Sequence, residues 1–232
     1  KTQKEVEIVG EIQKSLLSSN KKEPFPLAGI NIPAKVVSGD FYNFNDLGDG
    51  KYGFGVADVS GKGIKSSLLM SKASSLYSCL SKTNFSPASL LTQLNNEICE
   101  TISRGMFVTM LIGIYDKNTD ELLLGNAGHE PPIIMNDQNE FSNFNEAGPP
   151  LGIVSNTQYQ EHKISFKNSS MYIFTDGITE IKNPQGEELG SIGFQNYITK
   201  FKDKPNNERL QMIIDNVLNS KYIQKDLSLI HI

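Results

Sequence analysis

The sequence predicts an α+β domain in which antiparallel sheets carry helices packed against them, and three patterns predict it. Short apolar runs broken by Gly, Asn and Asp recur along the chain and pair as hairpins across turns such as LGDG at 47–50 and DKNTD at 116–120. Two helical stretches interrupt them near the middle, and two more precede a last apolar run. Strands and helices do not alternate one for one, as parallel βαβ units require.

The elements follow in order. Val6, Val9, Ile12, Leu16 and Leu17 recur at three- and four-residue steps, an amphipathic helix over 5–19. The segment SSNKKEPFP at 18–26 reads as loop. GINIPAKVV, FYNFN and KYGFGVADV, between 29 and 59, read as strands. Over 63–82 a helix is expected, with Ile64, Leu68, Ala73, Leu76 and Leu80 on one stripe. Ser86 followed by Pro87 is an N-cap with proline at the first helical position, opening a helix faced by Leu90, Leu91, Leu94, Ile98 and Ile102. Strands are predicted at 107–115, 121–126, 132–136, 158–164, 170–175 and 227–232, with helices at 191–201 and 205–220. There are no internal repeats and no low-complexity tracts.

Composition narrows the function classes. The 232 residues are 38% hydrophobic, 9% aromatic and 21% charged, enough apolar material for a real core. A net charge of −4 argues against a general phosphate-backbone binder, so no nucleic-acid partner is expected. The longest apolar stretches, such as MLIGIY at 110–115, fall far below the roughly 18 residues of a membrane helix, so no membrane contact is expected of this segment. Cys79 and Cys99 are too few for a disulfide framework, and a cytoplasmic setting is expected. His129, His162 and His231 lack zinc-ligand spacing. The chain starts at Lys1 without a signal pattern, and is read as a piece of a longer protein.

Familiar nucleophile and phosphate motifs fail. VSGKGI at 59–64 lacks a P-loop's first glycine, since Val56 stands there, and its Ser or Thr, since Gly63 stands there. Arg104 follows Cys99 by five residues where a cysteine phosphatase needs six, and no G-x-S-x-G elbow is present. What recurs instead is an Asp at the end of an apolar run, with small residues beside it: Asp40 after AKVVSG, Asp58 after GFGVA and Asp176 after MYIFT, with Asp226 just before the last strand. One such Asp is ordinarily a turn former or helix cap. Several from distant parts of one chain could bring carboxylates and backbone carbonyls onto a hard cation, which suits Mg²⁺ or Mn²⁺. Two such ions about 3.5–4 Å apart, bridged by a carboxylate, would activate a shared water and clamp a phosphoryl oxygen.

At this point the residues match a known family. SGDFYNF at 38–44, ADVSGKG at 57–63, FVTMLIGIYD at 107–116, NAGHEPP at 126–132, GPPLG at 148–152, IFTDGITE at 173–180 and KDLSLIHI at 225–232 occur in the family's order. Across nearly its whole length the chain resembles the SpoIIE/RsbU-type serine phosphatases, a bacterial branch of the metal-dependent PPM (type 2C) superfamily. The resemblance implies a layered α-β-β-α sandwich of two mostly antiparallel sheets, with two Mn²⁺ or Mg²⁺ ions in a cleft at one end. It implies hydrolysis of phosphoserine or phosphothreonine on a regulatory protein, usually a STAS-type anti-sigma factor antagonist, through a metal-bridging water.

Carried over by residue, the resemblance makes Asp58 the bridging carboxylate with the carbonyl of Val59 beside it, and Asp176 a ligand of the first metal. Asp40 is the acidic position that holds metal directly or through water. It also implies that residues 1–20 are the end of a linker helix from an upstream sensor domain, a helix that often pairs in a homodimer, and that 21–232 is the phosphatase domain. One position departs from the pattern. The family's last motif is Asp-Asp-hydrophobic-Thr with the first Asp a ligand, but here Lys225 stands there, followed by Asp226, and Ser228 replaces the Thr. A protonated lysine cannot donate to a cation. Either Asp226 takes over, or the site is weakened, or the domain is a catalytically impaired relative that binds phosphoproteins as a scaffold. His129, tempting as a general acid, lies in a segment the family uses structurally.

Overall fold

The computed structural model describes residues 2–17, 25–33, 36–84, 86–102, 105–219 and 227–232. Strands β1 (Ala28–Ile32), β2 (Asp40–Gly48), β3 (Lys51–Val59), β4 (Val108–Asp116), β5 (Glu121–Ala127), β6 (Ile133–Met135), β7 (Phe141–Asn143), β8 (His162–Ser165), β9 (Ser170–Phe174) and β10 (Leu227–His231) form two five-stranded sheets. One runs β1-β10-β9-β6-β7 and the other β2-β3-β4-β5-β8, with every strand pair antiparallel. Helices α1 (Thr2–Leu16), α2 (Ile64–Leu80) and α3 (Pro87–Cys99) belong to the second sheet's side. The turn α4 (Asp176–Thr179) and helices α5 (Gly190–Lys200) and α6 (Asn206–Asn219) belong to the first. This is the expected α+β sandwich.

Period-two alternation sorts the strands into three apolar layers. Tyr42, Phe44, Phe54, Val56, Leu111, Leu122 and Leu124 point inward, where they meet Met171, Ile173 and Ile230 of the facing sheet. Their neighbours Phe41, Ala57, Val59, Val108, Met110 and Ile112 point outward under α2 and α3. On the far side Tyr172, Phe174 and Leu229 meet Phe194, Ile198, Leu210, Ile213 and Ile214 of α5 and α6. A fully enclosed ring such as Phe54 is worth about 2–3 kcal/mol of transfer free energy. It can lie flat on the next strand because residue 113 is glycine: a Cβ there would stand 2.2 Å from the Phe54 ring.

Local chemistry sets the boundaries. The β2–β3 hairpin turns through Gly48, Asp49 and Gly50, all with positive φ. Helix α3 starts where expected: Ser86 accepts from the Ser89 amide, and Glu161 Oε2 accepts from both the Ser86 hydroxyl (2.7 Å) and the Ala88 amide (3.0 Å).

Several expectations are corrected. Helix α2 buries only part of the predicted stripe: Ala73 is buried and Leu76 and Leu80 pack against the core, but Ile64 and Leu68 are 59% and 63% exposed, and the buried face is Ser66, Ser67, Met70, Ala73, Ser74 and Tyr77. Small residues let the helix sit close, and Tyr77 lies over Gly55, where a Cβ would be 3.0 Å from the ring. Ile12, predicted on the buried face of α1, is exposed, while Gln13 is buried and exchanges hydrogen bonds with the Ser38 backbone and the Ser67 carbonyl. The AKVVSG run before Asp40 is not a strand in its described part: Val36 to Gly39 are bends and coil, so Asp40 opens β2 instead of ending a strand. The strand expected at 158–164 begins only at His162, and the short elements β7 and α4 carried no periodic signal.

Candidate metal centre

Antiparallel register places Asp40 opposite Asp58 and Asp58 opposite Thr109. All three side chains share the inward face of their sheet, since alternation carries that face from Tyr42, Val56 and Leu111 to them. In the facing sheet the same alternation carries Thr175 inward from Ile173, and Ser228 from Ile230. The apolar inter-sheet core therefore ends, at one edge of the sandwich, in a polar layer contributed by both sheets.

Hydrogen bonds knit this layer. The Thr175 hydroxyl donates to Asp40 Oδ2 at 2.7 Å and accepts from the Ser228 amide at 3.0 Å. Ser228 Oγ accepts from Asn31 Nδ2 at 2.7 Å, and the Asp40 amide donates to Ser38 Oγ at 3.0 Å. Asp40 is buried, Asp58 half-buried and Asp176 exposed, a gradient from the floor of the layer to its mouth. Val59 closes β3 with its amide donating to the Gly39 carbonyl at 3.3 Å. Residue 39 is glycine, and a Cβ there would stand 3.1 Å from the Val59 carbonyl oxygen. Beyond it the chain turns through Gly61 and Gly63, both with positive φ, into α2.

Asp40, Asp58, Val59 and Asp176 thus lie at one end of the sandwich: the first three through strand register, and Asp176 as the residue after Thr175. Lys225 and Asp226 lie outside the described residues. Among the described residues no three His, Cys, Asp or Glu side chains converge tightly enough to ring a cation. The donors present are nonetheless all hard oxygens, and Mg²⁺ characteristically takes only one or two carboxylates and keeps several waters. The chemistry of the site fits such an ion. A cavity of about 370 Å³ lies elsewhere, at the opposite end of the β2–β5 sheet against Leu47, Lys51, Ile114 and Lys163.

Three residues that sequence reading left unassigned or set aside border the cluster. Thr175 is the donor to Asp40. Glu130 has its carboxyl pKa pushed up by desolvation first, and then by the charges of Asp176 and Glu180, so these carboxylates share one rim. His129 is enclosed, and burial drives its pKa down to about 4, so it is neutral near pH 7. Of the three, only His129 was singled out in the sequence, as a tempting general acid; Glu130 lay beside it in NAGHEPP.

The two-sheet sandwich with helices on both faces is the protein phosphatase type 2C fold. The SiaA-PP2C domain of Pseudomonas aeruginosa superposes with a TM-score of 0.85 at 16% identity, over 99% of this chain and 96% of that one. The PP2C phosphatase domain of SpoIIE from Bacillus subtilis superposes with a TM-score of 0.77 at 17% identity, over 92% of this chain and 64% of that structure. The chain belongs to the SpoIIE family: residues 48–232 match the family model of stage II sporulation protein E, in line with the resemblance read from its motifs. The phosphoserine phosphatase RsbU of Bacillus subtilis is 30% identical over 186 residues, which are 78% of this chain. The match spans 55% of that relative's length. Among the described residues no helix is long and apolar enough to cross a membrane.

Proposed function

We propose that this domain is a Mn²⁺- or Mg²⁺-dependent protein serine/threonine phosphatase. Its substrate would be a phosphoserine or phosphothreonine on a regulatory protein of the STAS-type anti-sigma factor antagonist class. The observation that carries the reading is the register of Asp40 against Asp58, with the Thr175–Asp176 strand end brought onto them from the other sheet. Family membership and the 30% identical phosphoserine phosphatase support the reaction class.

Asp58 would bridge two ions, with Asp176 and the Val59 carbonyl completing the first shell of protein oxygens, Asp40 contributing directly or through water, and Asp226 supplying the last loop's carboxylate. When bound, such ions supply Lewis-acid charge and lower the pKa of a water held between them. The chain's own part is to orient and to concentrate. Thr175 holds the Asp40 carboxylate in place, the inter-sheet core excludes water from behind, and the Glu130, Asp176 and Glu180 rim draws cations to the mouth.

The wider assembly belongs to the same reading. Residues 1–20 would end a linker helix from an upstream sensor and serve as a homodimer contact, and the free thiols of Cys79 and Cys99 suit a cytoplasmic setting. The test is release of phosphate from a phosphoserine-bearing STAS-domain protein on addition of Mn²⁺. Release by the wild-type chain and none by Asp58→Asn supports the reading, and equal release by both contradicts it.

A second reading is favoured by Lys225 at the family's ligand position: an impaired relative that binds phosphoproteins without hydrolysing them. It predicts an inert wild-type chain that Lys225→Asp switches on.

A further inference from the structure

We propose that Asn31 is a positioning residue for the metal centre: its side-chain amide clamps Asp40 of one sheet to Ser228 of the other and thereby sets the affinity for the metal ions. This rests on the metal-dependent reading above. Asn31 Nδ2 donates to Ser228 Oγ at 2.7 Å and reaches the Asp40 backbone carbonyl at 3.4 Å. Ser228 is its register partner in β10, so the first bond ties neighbouring strands of one sheet, while the second crosses to β2 in the other. From Ser228 the path returns to Asp40 by a different route. The Ser228 amide donates to Thr175 Oγ1 at 3.0 Å, and Thr175 donates to Asp40 Oδ2 at 2.7 Å. The hydrogen bonds form a closed ring through Asn31, Ser228, Thr175 and Asp40 that holds Asp40 by its main chain and by its carboxylate at once.

The polarity of one side of the ring is fixed. A backbone amide only donates, so Ser228 takes a lone pair of the Thr175 hydroxyl, and that hydroxyl's single proton goes to Asp40. The Thr175 amide donates in turn to the Ser228 carbonyl at 3.1 Å, so these two residues shift together. Ser228, Thr175 and Asp40 are 0%, 1% and 3% exposed, which leaves bulk water no part in these bonds. Asn31 is half-buried, the ring's most accessible member. Without its amide, Asp40 keeps the Thr175 bond but loses its main-chain contact with the facing sheet. The carboxylate is then held across the sheets at one point instead of two. An ion that needs it fixed relative to Asp58, its register partner, must order it on binding, and that ordering weakens affinity.

The test is calorimetric Mn²⁺ binding to the purified chain, with wild type, Asn31→Leu, Ser228→Ala, Ser228→Thr and the Asn31→Leu/Ser228→Ala double variant. Arg209→Lys, which loosens the other face of the same sheet, is the control for destabilisation alone. The clamp predicts about tenfold weaker Mn²⁺ binding by Asn31→Leu, the lower end of the range seen when groups orienting metal ligands are removed. Ser228→Ala removes one of the two Asn31 bonds and is expected to bind about threefold more weakly, the net worth of a modest hydrogen bond. The double variant should be no weaker than Asn31→Leu, and Ser228→Thr, which keeps the hydroxyl, should match wild type. Folding is checked by circular dichroism, and Ser228→Ala against Ser228→Thr carries the test if Asn31→Leu does not fold. Wild-type affinity in the disrupting variants, losses that add in the double, or an equal loss in Arg209→Lys overturns the clamp while leaving the metal reading intact. Absence of Mn²⁺ binding by the wild-type chain overturns both.

Discussion

The Thr175 hydroxyl donates to Asp40 Oδ2 at 2.7 Å across the gap between the two sheets, joining residues 135 positions apart in the chain. Because the Thr175 hydroxyl also accepts from the Ser228 amide at 3.0 Å, one side chain satisfies groups on two strands, β2 and β10. Thr175→Val keeps the shape and removes both bonds. It is expected to cost about 1–3 kcal/mol, the penalty for stripping partners from buried polar groups. Thr175→Ser is expected to stay within about 1 kcal/mol of wild type, because the hydroxyl remains. Urea unfolding of the three proteins checks this, and equal midpoints for Val and wild type would contradict it.

Residue 39, beside the Val59 carbonyl, is glycine. In Gly39→Ala the new Cβ would stand 3.1 Å from that oxygen, tight but not a prohibitive clash. The fold is therefore expected to survive while Mn²⁺ affinity falls about tenfold, the order of effect seen when a group orienting metal ligands is disturbed. Calorimetric Mn²⁺ titration alongside a melting curve separates the two effects. A lowered Tm with unchanged Mn²⁺ affinity would show that the carbonyl is not a donor.

Stability should fall with acid. The folded pKa of His129, about 4, lies below its ordinary 6.5, so between these values the unfolded chain takes a proton that the folded chain refuses. Its contribution is complete above pH 6.5 and is lost as pH falls toward 4, on the order of 3 kcal/mol in all. His231 acts with the same sign, its pKa lowered by burial first and by the Arg209 charge second. Unfolding free energy measured from pH 7 to pH 4.5 should decline, with a shallower slope in His129→Gln. Parallel slopes for the two proteins would rule out His129 as a source.

Arg209 is a buried cation held by oxygens and a ring. It donates to the Tyr172 hydroxyl (2.9 Å), to the Lys202 carbonyl and, through Nε (3.1 Å) and Nη2 (2.9 Å), to the Lys204 carbonyl. Its Nη1 lies 3.1 Å from His231 Nε2, and the His231 ring stacks on Tyr172 at 4.5 Å between centroids. A lysine cannot reproduce this fork. Arg209→Lys is expected to cost about 3 kcal/mol, roughly 6–12 °C in Tm for a domain of this size, without altering Mn²⁺ affinity. A Tm within 2 °C of wild type, read with ~1 °C precision, would contradict this.

Much of this was legible in the residues. FVTMLIGIY alternates so that Met110 and Ile112 meet the helices while Leu111 meets the facing sheet, and Ser86–Pro87 marks the start of α3. The recurring aspartates Asp40, Asp58 and Asp176 stood out in the sequence, and the fold brings them to one end of the sandwich. The face of α2 misled because its buried side is built from Ser66, Ser67 and Ser74, residues chosen for close approach to the sheet and not for hydrophobicity, while Ile64 and Leu68 face out. Thr175 could not be ranked from sequence at all, since its partner Asp40 sits in the facing sheet, and the contact of His129 with Thr109 depends on the pairing of β4 with β5. Asp40 read as a strand end because AKVVSG looks like an apolar run, whereas Val36 to Gly39 are bends and coil and the Ser38 hydroxyl accepts locally from the Asp40 amide where β2 starts.

The central claim is that the cluster around Asp58 is a metal-dependent phosphoester hydrolase. The most direct measurement is the rate of aryl phosphate hydrolysis by the purified chain across a Mn²⁺ titration, with Asp58→Asn and Asp176→Asn alongside. The account predicts a saturable, Mn²⁺-dependent rate in the wild type that falls by at least about a hundredfold in both variants, in keeping with loss of Lewis-acid activation. A Mn²⁺-dependent rate retained in full by Asp58→Asn would contradict it.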